Sequence, residues 1–189
     1  MGTALQLPQP FPRRKLLTRL ECTQLASVVE LSRYELIEGD LVEKVSKNHP
    51  HSRCLLLLVE WLRDVFGKRV VVQEPSIDVA PEDNPTSEPE PDLVVLTRSF
   101  LDLVPRPRPE DIALVVEISD STLGFTVKRD LYARAAIAEY WVVDVNARRI
   151  VVHRDPGAGR YGSISTFTED DRIAPLAALD QTALVRDLI

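Results

Sequence analysis

Three side chains near the middle of this 189-residue chain have the types and positions that phosphoester chemistry needs. Asp92 opens the apolar run PDLVVL, and Glu117 lies near the end of the apolar run IALVVEI. Apolar runs of this length are typical of buried strands, and the amphipathic segment that follows is typical of a helix. The sequence therefore predicts two carboxylates at strand ends, with Lys128 at the start of a helix and directed back towards Glu117.

A divalent cation would explain why two carboxylates are tolerated there. Burying an ionised carboxylate is costly unless it is paired or binds a metal, and two carboxylates close together repel until one is protonated. Oxygen ligands without cysteine favour Mg²⁺ or Mn²⁺ over Zn²⁺. Asp92 and Glu117 are thus candidate metal ligands, and the Ile118 carbonyl is a candidate third oxygen. Lys128 is a candidate catalytic residue that orients water or stabilises developing charge.

Spacing alone leaves a second interpretation open. Acidic residues are common at strand ends, and lysines on helices are usually solvated, so the three side chains also fit an ordinary folded protein without a metal.

Hydrophobic patterning predicts the elements that position these side chains, in an α/β fold with a mixed central sheet flanked by helices. The predicted elements, in chain order, are a helix over residues 18–29, a hairpin over 33–45, a helix over 50–66 capped by Asn48 or Ser46, strands over 69–74, 76–80, 91–96 and 112–118, a helix over 127–137, a hairpin over 139–144 and 149–153, a strand over 161–168, and a helix over 183–188.

The length fits one domain, which we expect over residues 17–189. Residues 1–16 are predicted to form a flexible arm, because three prolines oppose a helix and because termini are often disordered. This arm carries the dense basic cluster Arg13-Arg14-Lys15. A contact of the arm with a phosphate backbone or with a second subunit is the alternative.

Composition limits the class of protein further. The net charge of −6 argues against a broad basic face that coats nucleic acid, although it is compatible with an enzyme that meets DNA at a metal. No signal peptide is visible, and the apolar run over residues 54–59 is too short to cross a bilayer. We expect a cytoplasmic protein with no membrane partner, in which Cys22 and Cys54 are buried free thiols.

Four motifs in order add a resemblance: YELIEGDLVE, PDLVV, LVVEISDST, and K-x-x-x-Y-A followed by AEYWVVD. Together, over residues 33–153, they resemble the Uma2 family of bacterial restriction-endonuclease-like proteins, in the PD-(D/E)XK nuclease superfamily. The resemblance implies a restriction-endonuclease-like core with additional β-hairpins, in which Asp92 is the PD aspartate and Glu117 the second acid. Ser119 occupies the usual lysine position, and Lys128 on the following helix matches the displaced lysine of Uma2-like sequences.

The function that the resemblance implies is a Mg²⁺- or Mn²⁺-dependent endonuclease that hydrolyses phosphodiester bonds in nucleic acid, with DNA as the expected substrate. Ser119 and the negative net charge favour an alternative, a catalytically inactive interaction module for nucleic acid or protein. A metal-dependent hydrolase of another phosphate ester is a third hypothesis. A homo-oligomer, most simply a dimer, is also expected. Glu74 and His51 rank below the three principal residues as site candidates.

Overall fold

The computed structural model describes residues 15–44, 48–119 and 125–189. The predicted N-terminal arm lies outside these ranges except for its last two residues, and so does the proposed cap Ser46. Lys15 forms an ion pair with Glu21 at 2.6 Å, and the N–H of Leu17 donates to the carbonyl of Gly39 at 2.9 Å. The start of the described chain is therefore held against the turn of the first hairpin.

The described residues form three helices, ten strands and several short 3₁₀ turns. The helices are α1 (Arg19–Leu25), α2 (His49–Phe66) and α3 (Phe125–Arg134), and the strands are β1 (Tyr34–Ile37), β2 (Asp40–Glu43), β3 (Val71–Gln73), β4 (Leu93–Leu96), β5 (Ile112–Ser119), β6 (Glu139–Asp144), β7 (Arg149–Gly157), β8 (Arg160–Thr168), β9 (Arg172–Ile173) and β10 (Ala183–Leu184). None of the helices in these ranges is long and apolar enough to cross a bilayer.

Six strands make the central sheet, in the order β3-β4-β5-β6-β7-β8. Strands β5 and β6 are parallel, and the other four neighbouring pairs are antiparallel. A parallel pair needs a crossover connection, and α3 lies in that connection. The predicted α/β class with a mixed sheet is confirmed, and β1–β2 and β9–β10 form two further antiparallel pairs.

The sheet has an apolar core on each face. Helix α2 covers one face with the i, i+3, i+4, i+7 stripe expected from its sequence, and Trp61 of α2 stacks with Trp141 of β6 at 6.1 Å between ring centroids. Helix α3 covers the other face, where Leu131 and Tyr132 lie in the same cluster as Tyr140. Each central strand is therefore covered on both sides, which explains its nearly continuous apolar sequence.

Two predicted elements are wrong. Residues 76–80 alternate in burial but form no strand; the N–H of Ile77 donates to the carbonyl of Pro89, and that of Asp78 to the carbonyl of Pro107. Residues 183–188 are not an α-helix. They form β10, which pairs with β9, followed by a 3₁₀ turn over Val185–Asp187. In both segments, hydrogen bonds to another part of the chain override a short local pattern.

Several boundaries also shift. Helix α1 ends at Leu25, four residues before its predicted end, whereas β7 continues to Gly157, four residues beyond its predicted end. Asn48 caps α2 through the N–H of His51, as predicted. Of the two free cysteines, Cys54 is buried as expected but Cys22 is partly exposed.

One buried ion pair connects the sheet to the C-terminal segment. Glu139 on β6 is fully buried and lies opposite Arg154 on β7, with Nε at 2.7 Å from Oε1. Its second oxygen accepts the N–H of Leu176, and Arg154 also donates to the carbonyl of Ala174. Two carboxylate oxygens thus fix both a neighbouring strand and the segment after β9.

We expect Glu139→Ala to lower the free energy of unfolding by about 3 kcal/mol, at the low end for breaking a buried pair, because Arg154 keeps some contact with water. Glu169→Ala is the matched control, since Glu169 pairs with Arg148 at the surface, and it should cost less than about 1 kcal/mol. Urea unfolding monitored by tryptophan fluorescence measures both values. Equal destabilisation by the two variants would contradict this difference.

Candidate active site

The register of the sheet places the two predicted acids opposite each other. Leu93 on β4 faces Val116 on β5, so the next position outwards on each strand holds Asp92 and Glu117. Directly opposed residues on antiparallel strands share one face of the sheet. The N–H of Ile118 donates to Asp92 Oδ2 at 2.8 Å. The carbonyl of Ile118 is the predicted third oxygen for a metal. In the structure, the N–H of the same residue orients the Asp92 carboxylate.

Lys128 lies where the sequence predicted it, beside Glu117. It projects from the first turns of α3, and its Nζ lies 3.0 Å from Glu117 Oε1. Its side chain is only 15% exposed, so the ammonium is removed from most of its water. The helix holds it there because Leu131 and Tyr132, one turn further on, are fully buried against the sheet.

Glu35 is a site residue that the sequence interpretation missed. It lies on β1, is 7% exposed, and its Oε1 is 2.7 Å from Lys128 Nζ. Its other oxygen accepts the N–H of Glu90 at 3.1 Å. The available signal was an acid between Tyr34 and Leu36 in a short apolar strand. That pattern normally indicates a solvent-facing position, so it did not single out a buried carboxylate.

Tyr132 is the second missed residue. Its hydroxyl donates to Glu117 Oε1 at 2.9 Å, the same oxygen that Lys128 contacts. Burial, together with the Glu117 charge, raises the pKa of the Tyr132 phenol well above its usual value, so it remains a donor. The spacing K-x-x-x-Y was the signal, because residues four apart lie on one face of a helix.

The electrostatics of the site follow from three carboxylates around one ammonium. Burial raises the pKa of Glu117, Lys128 opposes this, and Asp92 and Glu35 add to it, which leaves the pKa at about 7. Burial alone would lower the pKa of Lys128, but Glu117 and Glu35 outweigh it, and the pKa is raised. Lys128 is therefore fully charged at neutral pH, and negative charge remains in excess.

The lower-ranked candidates His51 and Glu74 both adjoin Asp92. His51 Nε2 lies 3.1 Å from Asp92 Oδ1, and its Nδ1 is buried without a hydrogen-bond partner in the part of the chain that the structure describes. Glu74 approaches through its backbone, whose N–H donates to the Asp92 carbonyl at 3.2 Å. Its side chain is exposed, and its φ of +51° lies in the left-handed region. The structure thus places the His51 ring at Asp92, and Glu74 beside it through the main chain.

Other residues near the site have structural roles. Tyr140 and Trp141 are fully buried in the two cores. Asp144 Oδ1 accepts the N–H of Ala147 at 2.9 Å and thereby begins the turn between β6 and β7. Ser119, at the position where a lysine is usual, is the last residue of β5.

The donor groups of the site fit a hard divalent cation. Asp92 and Glu117 offer carboxylate oxygens, and the surplus negative charge would be offset by such an ion. Among the described residues, no three His, Cys, Asp or Glu side chains form a ready-made metal cluster. Proteins often hold Mg²⁺ with one or two carboxylates while water and substrate phosphates occupy its other positions, so Asp92 and Glu117 are the residues that could hold such an ion.

Comparisons with known proteins identify the family of the chain and a solved structure with a shared fold. The Uma2 family, described as "Putative restriction endonuclease", matches residues 21–186 of the chain. A crystal structure from Anabaena variabilis, described as "a putative nuclease belonging to DUF820", superimposes with a TM-score of 0.65 at 18% sequence identity. The match covers 88% of this chain and 95% of that one, and at this identity it shows a shared fold. No curated protein matches the sequence significantly.

We expect the raised pKa of Glu117 to make the free energy of unfolding of the metal-free protein depend on pH. Because the folded state holds this proton more tightly, stability is lost as the pH rises from the ordinary value of 4.5 to about 7. The Glu117→Gln variant lacks this loss. In EDTA, its stability relative to the parent should therefore increase by on the order of 3 kcal/mol over that range.

Denaturant titrations of the parent and of Glu117→Gln at several pH values between 4 and 8 measure this difference. A difference in unfolding free energy that does not change with pH would show that Glu117 ionises normally in the folded protein.

Proposed function

The chain belongs to the Uma2 family, and from that membership and its site we propose that it is a metal-dependent endonuclease that hydrolyses phosphodiester bonds in nucleic acid, with DNA as its substrate. The observation that carries the proposal is the position of the Lys128 ammonium, between Glu117 and Glu35 at 3.0 and 2.7 Å. This ammonium lies beside the Asp92–Glu117 pair, although the strand position two residues after Glu117 holds Ser119.

In this proposal, Asp92 and Glu117 hold the metal and the surrounding residues orient them. Mg²⁺ or Mn²⁺ bound there would supply a Lewis acid that polarises the scissile phosphate and lowers the pKa of a bound water. The Ile118 N–H and His51 fix the two oxygens of Asp92. An oriented carboxylate loses less freedom when it binds an ion than a mobile one does.

Lys128 has the second role. A buried ammonium facing the scissile phosphate stabilises the negative charge that develops on phosphate oxygens in the transition state, and a preorganised charge is most effective where water is excluded. Tyr132 and Glu35 hold the ammonium and its partner carboxylate in position. The ammonium group that would stabilise this charge thus comes from helix α3 instead of from strand β5.

The chain is acidic overall, so its contact with nucleic acid would be local. Such an enzyme meets its substrate at the metal rather than along a broad basic face. We place it in the cytoplasm, where free thiols such as those of Cys22 and Cys54 persist.

A second candidate is an interaction module with the same fold but no cleavage. Two observations favour it: Ser119 replaces the strand lysine, and the ion pairs of Lys128 satisfy the site without a metal. The module would bind nucleic acid or a protein equally well in EDTA and in Mg²⁺, whereas the enzyme would show cleavage that requires the metal.

We expect Asp92→Asn, Glu117→Gln and Lys128→Met each to reduce cleavage of double-stranded DNA by about 10²–10³-fold, which is the usual effect of removing a group that stabilises the transition state. The measurement is single-turnover cleavage of supercoiled plasmid and of fluorescent oligonucleotides, with RNA in parallel, in Mg²⁺ and in Mn²⁺.

The control is Asp111→Asn. Asp111 is a buried carboxylate beside the opposite end of β5, where it pairs with Arg98 at 2.7 Å, and its loss should leave cleavage per folded molecule unchanged. Equal activity in the parent and in the three site variants would refute the assignment of residues. Binding of DNA in EDTA without cleavage under any metal condition would support the interaction module instead.

We expect Glu35→Gln to slow cleavage by about tenfold, because an amide holds the Lys128 ammonium less strongly than a carboxylate does. Glu43→Gln is its control on the same hairpin, since Glu43 pairs with Arg33 and its side chain is 54% exposed. The rate constant for cleavage at saturating Mg²⁺ distinguishes the two. An equal or larger effect at Glu43 would contradict a specific role of Glu35.

A further inference from the structure

The two edges of the central sheet are very different. At one edge, β3 has three residues. At the other, β8 has nine residues, and within the described ranges no strand pairs with its outer side. Among the described residues, the main-chain contacts of β8 outside its pairing with β7 lie at its last residue, where Thr168 accepts from the N–H of Asp171 and donates its own N–H to the Asp171 carboxylate. The outer edge of β8 is a long row of main-chain donors and acceptors available to another strand.

The sequence of β8 lacks the features that usually protect an edge. Proteins block exposed edges with lysines, prolines, bulges or very short strands. Residues 161–168 read YGSISTFT, with no charge and no proline. In the middle of this stretch Ile164 is 55% exposed, and Ser165 and Thr166 are exposed as well. A β-branched, uncharged edge of this length favours strand addition.

The charges at the two ends of β8 specify which strand can be added. Arg160 at its start is exposed and has no ion pair among the described residues. Immediately after its end come Glu169, Asp170 and Asp171, and the Asp170 side chain is 86% exposed. A second copy of β8 in the antiparallel direction places the cation of each copy opposite the acidic end of the other. A parallel copy would place like charges together.

We propose that β8 pairs with β8 of a second copy, so that two six-stranded sheets join in one continuous sheet across a two-fold axis. When Arg160 faces Asp170 of the other copy, whose side chain is largely exposed, the axis passes through Ser165, because opposed residues on antiparallel strands share a face. This is an isologous contact, in which the same surface serves both partners. Because β8 lies three strands away from β5 in the sheet, the dimer leaves the candidate active site open, and the inference does not depend on the proposed function.

The experiment is sedimentation equilibrium of the full chain over about 1–100 µM, a range that detects micromolar association. We expect the mass to approach twice 21.2 kDa at the upper end. Ile164→Lys places two ammonium groups beside the axis, and like charges across a strand pair are unfavourable. This variant should raise the dissociation constant by at least about tenfold. Val42→Lys, another exposed apolar strand position, is the control and should remain dimeric.

Two further measurements identify the edge. Arg160→Glu should also weaken the dimer, because it removes both end-to-end ion pairs. Hydrogen exchange of the parent should show that amides within residues 160–168 become more protected as the concentration rises, while unfolding curves show whether each variant is folded. Any of three results would overturn the proposal. The parent is monomeric at all concentrations, or the folded Ile164→Lys variant forms a dimer as tight as that of the parent. In the third, Val42→Lys loses the dimer and the amides that gain protection from exchange lie outside residues 160–168.

Discussion

The candidate site depends on one buried ammonium held by two buried carboxylates. Lys128, Glu117 and Glu35 would each be costly to bury alone. Together they satisfy one another at 2.7 and 3.0 Å. The Tyr132 hydroxyl donates to the same Glu117 oxygen as Lys128, and the Glu90 N–H donates to the second oxygen of Glu35. Glu35, Glu117 and Lys128 join the β1–β2 hairpin, the central strand β5 and the crossover helix α3. A shift of any one of these elements therefore moves the Lys128 ammonium.

The fold holds these three elements together with ion pairs outside the site. Arg134, in the last turn of α3, donates to Glu38 at the hairpin turn and to Asp83 at 2.6 and 2.8 Å. On the opposite side of the hairpin, Lys44 pairs with Glu90 at 2.6 Å. Within the described residues the hairpin makes no strand pairing with the central sheet. These charged contacts, the hydrogen bonds to residues 86–88 that include the isolated bridge between Leu36 and Glu88, and the burial of Ile37 in the core under α3 together determine where Glu35 lies.

This dependence explains which parts of the site could be predicted from sequence. The apolar runs around Asp92 and Glu117 identify two buried strands, and their antiparallel pairing then brings the acids together. Lys128 could be predicted because an amphipathic segment directly follows the Glu117 strand, and the resemblance to a family supports the same position. Glu35 could not be found by patterning, because its burial comes from the docking of the hairpin on distant loops. The same limit explains the wrong strand over residues 76–80, whose alternating burial arises from contacts between loops.

The central claim is that the surplus of carboxylates at Lys128 forms a site for a divalent cation. Calorimetric titration of Mg²⁺ and Mn²⁺ into the full chain and into Asp92→Ala tests it most directly, without and with a non-cleavable phosphorothioate duplex. We expect one ion to bind to the parent and none to bind to the variant. No binding to the parent even with the duplex present, or equal binding to both proteins, would contradict the claim.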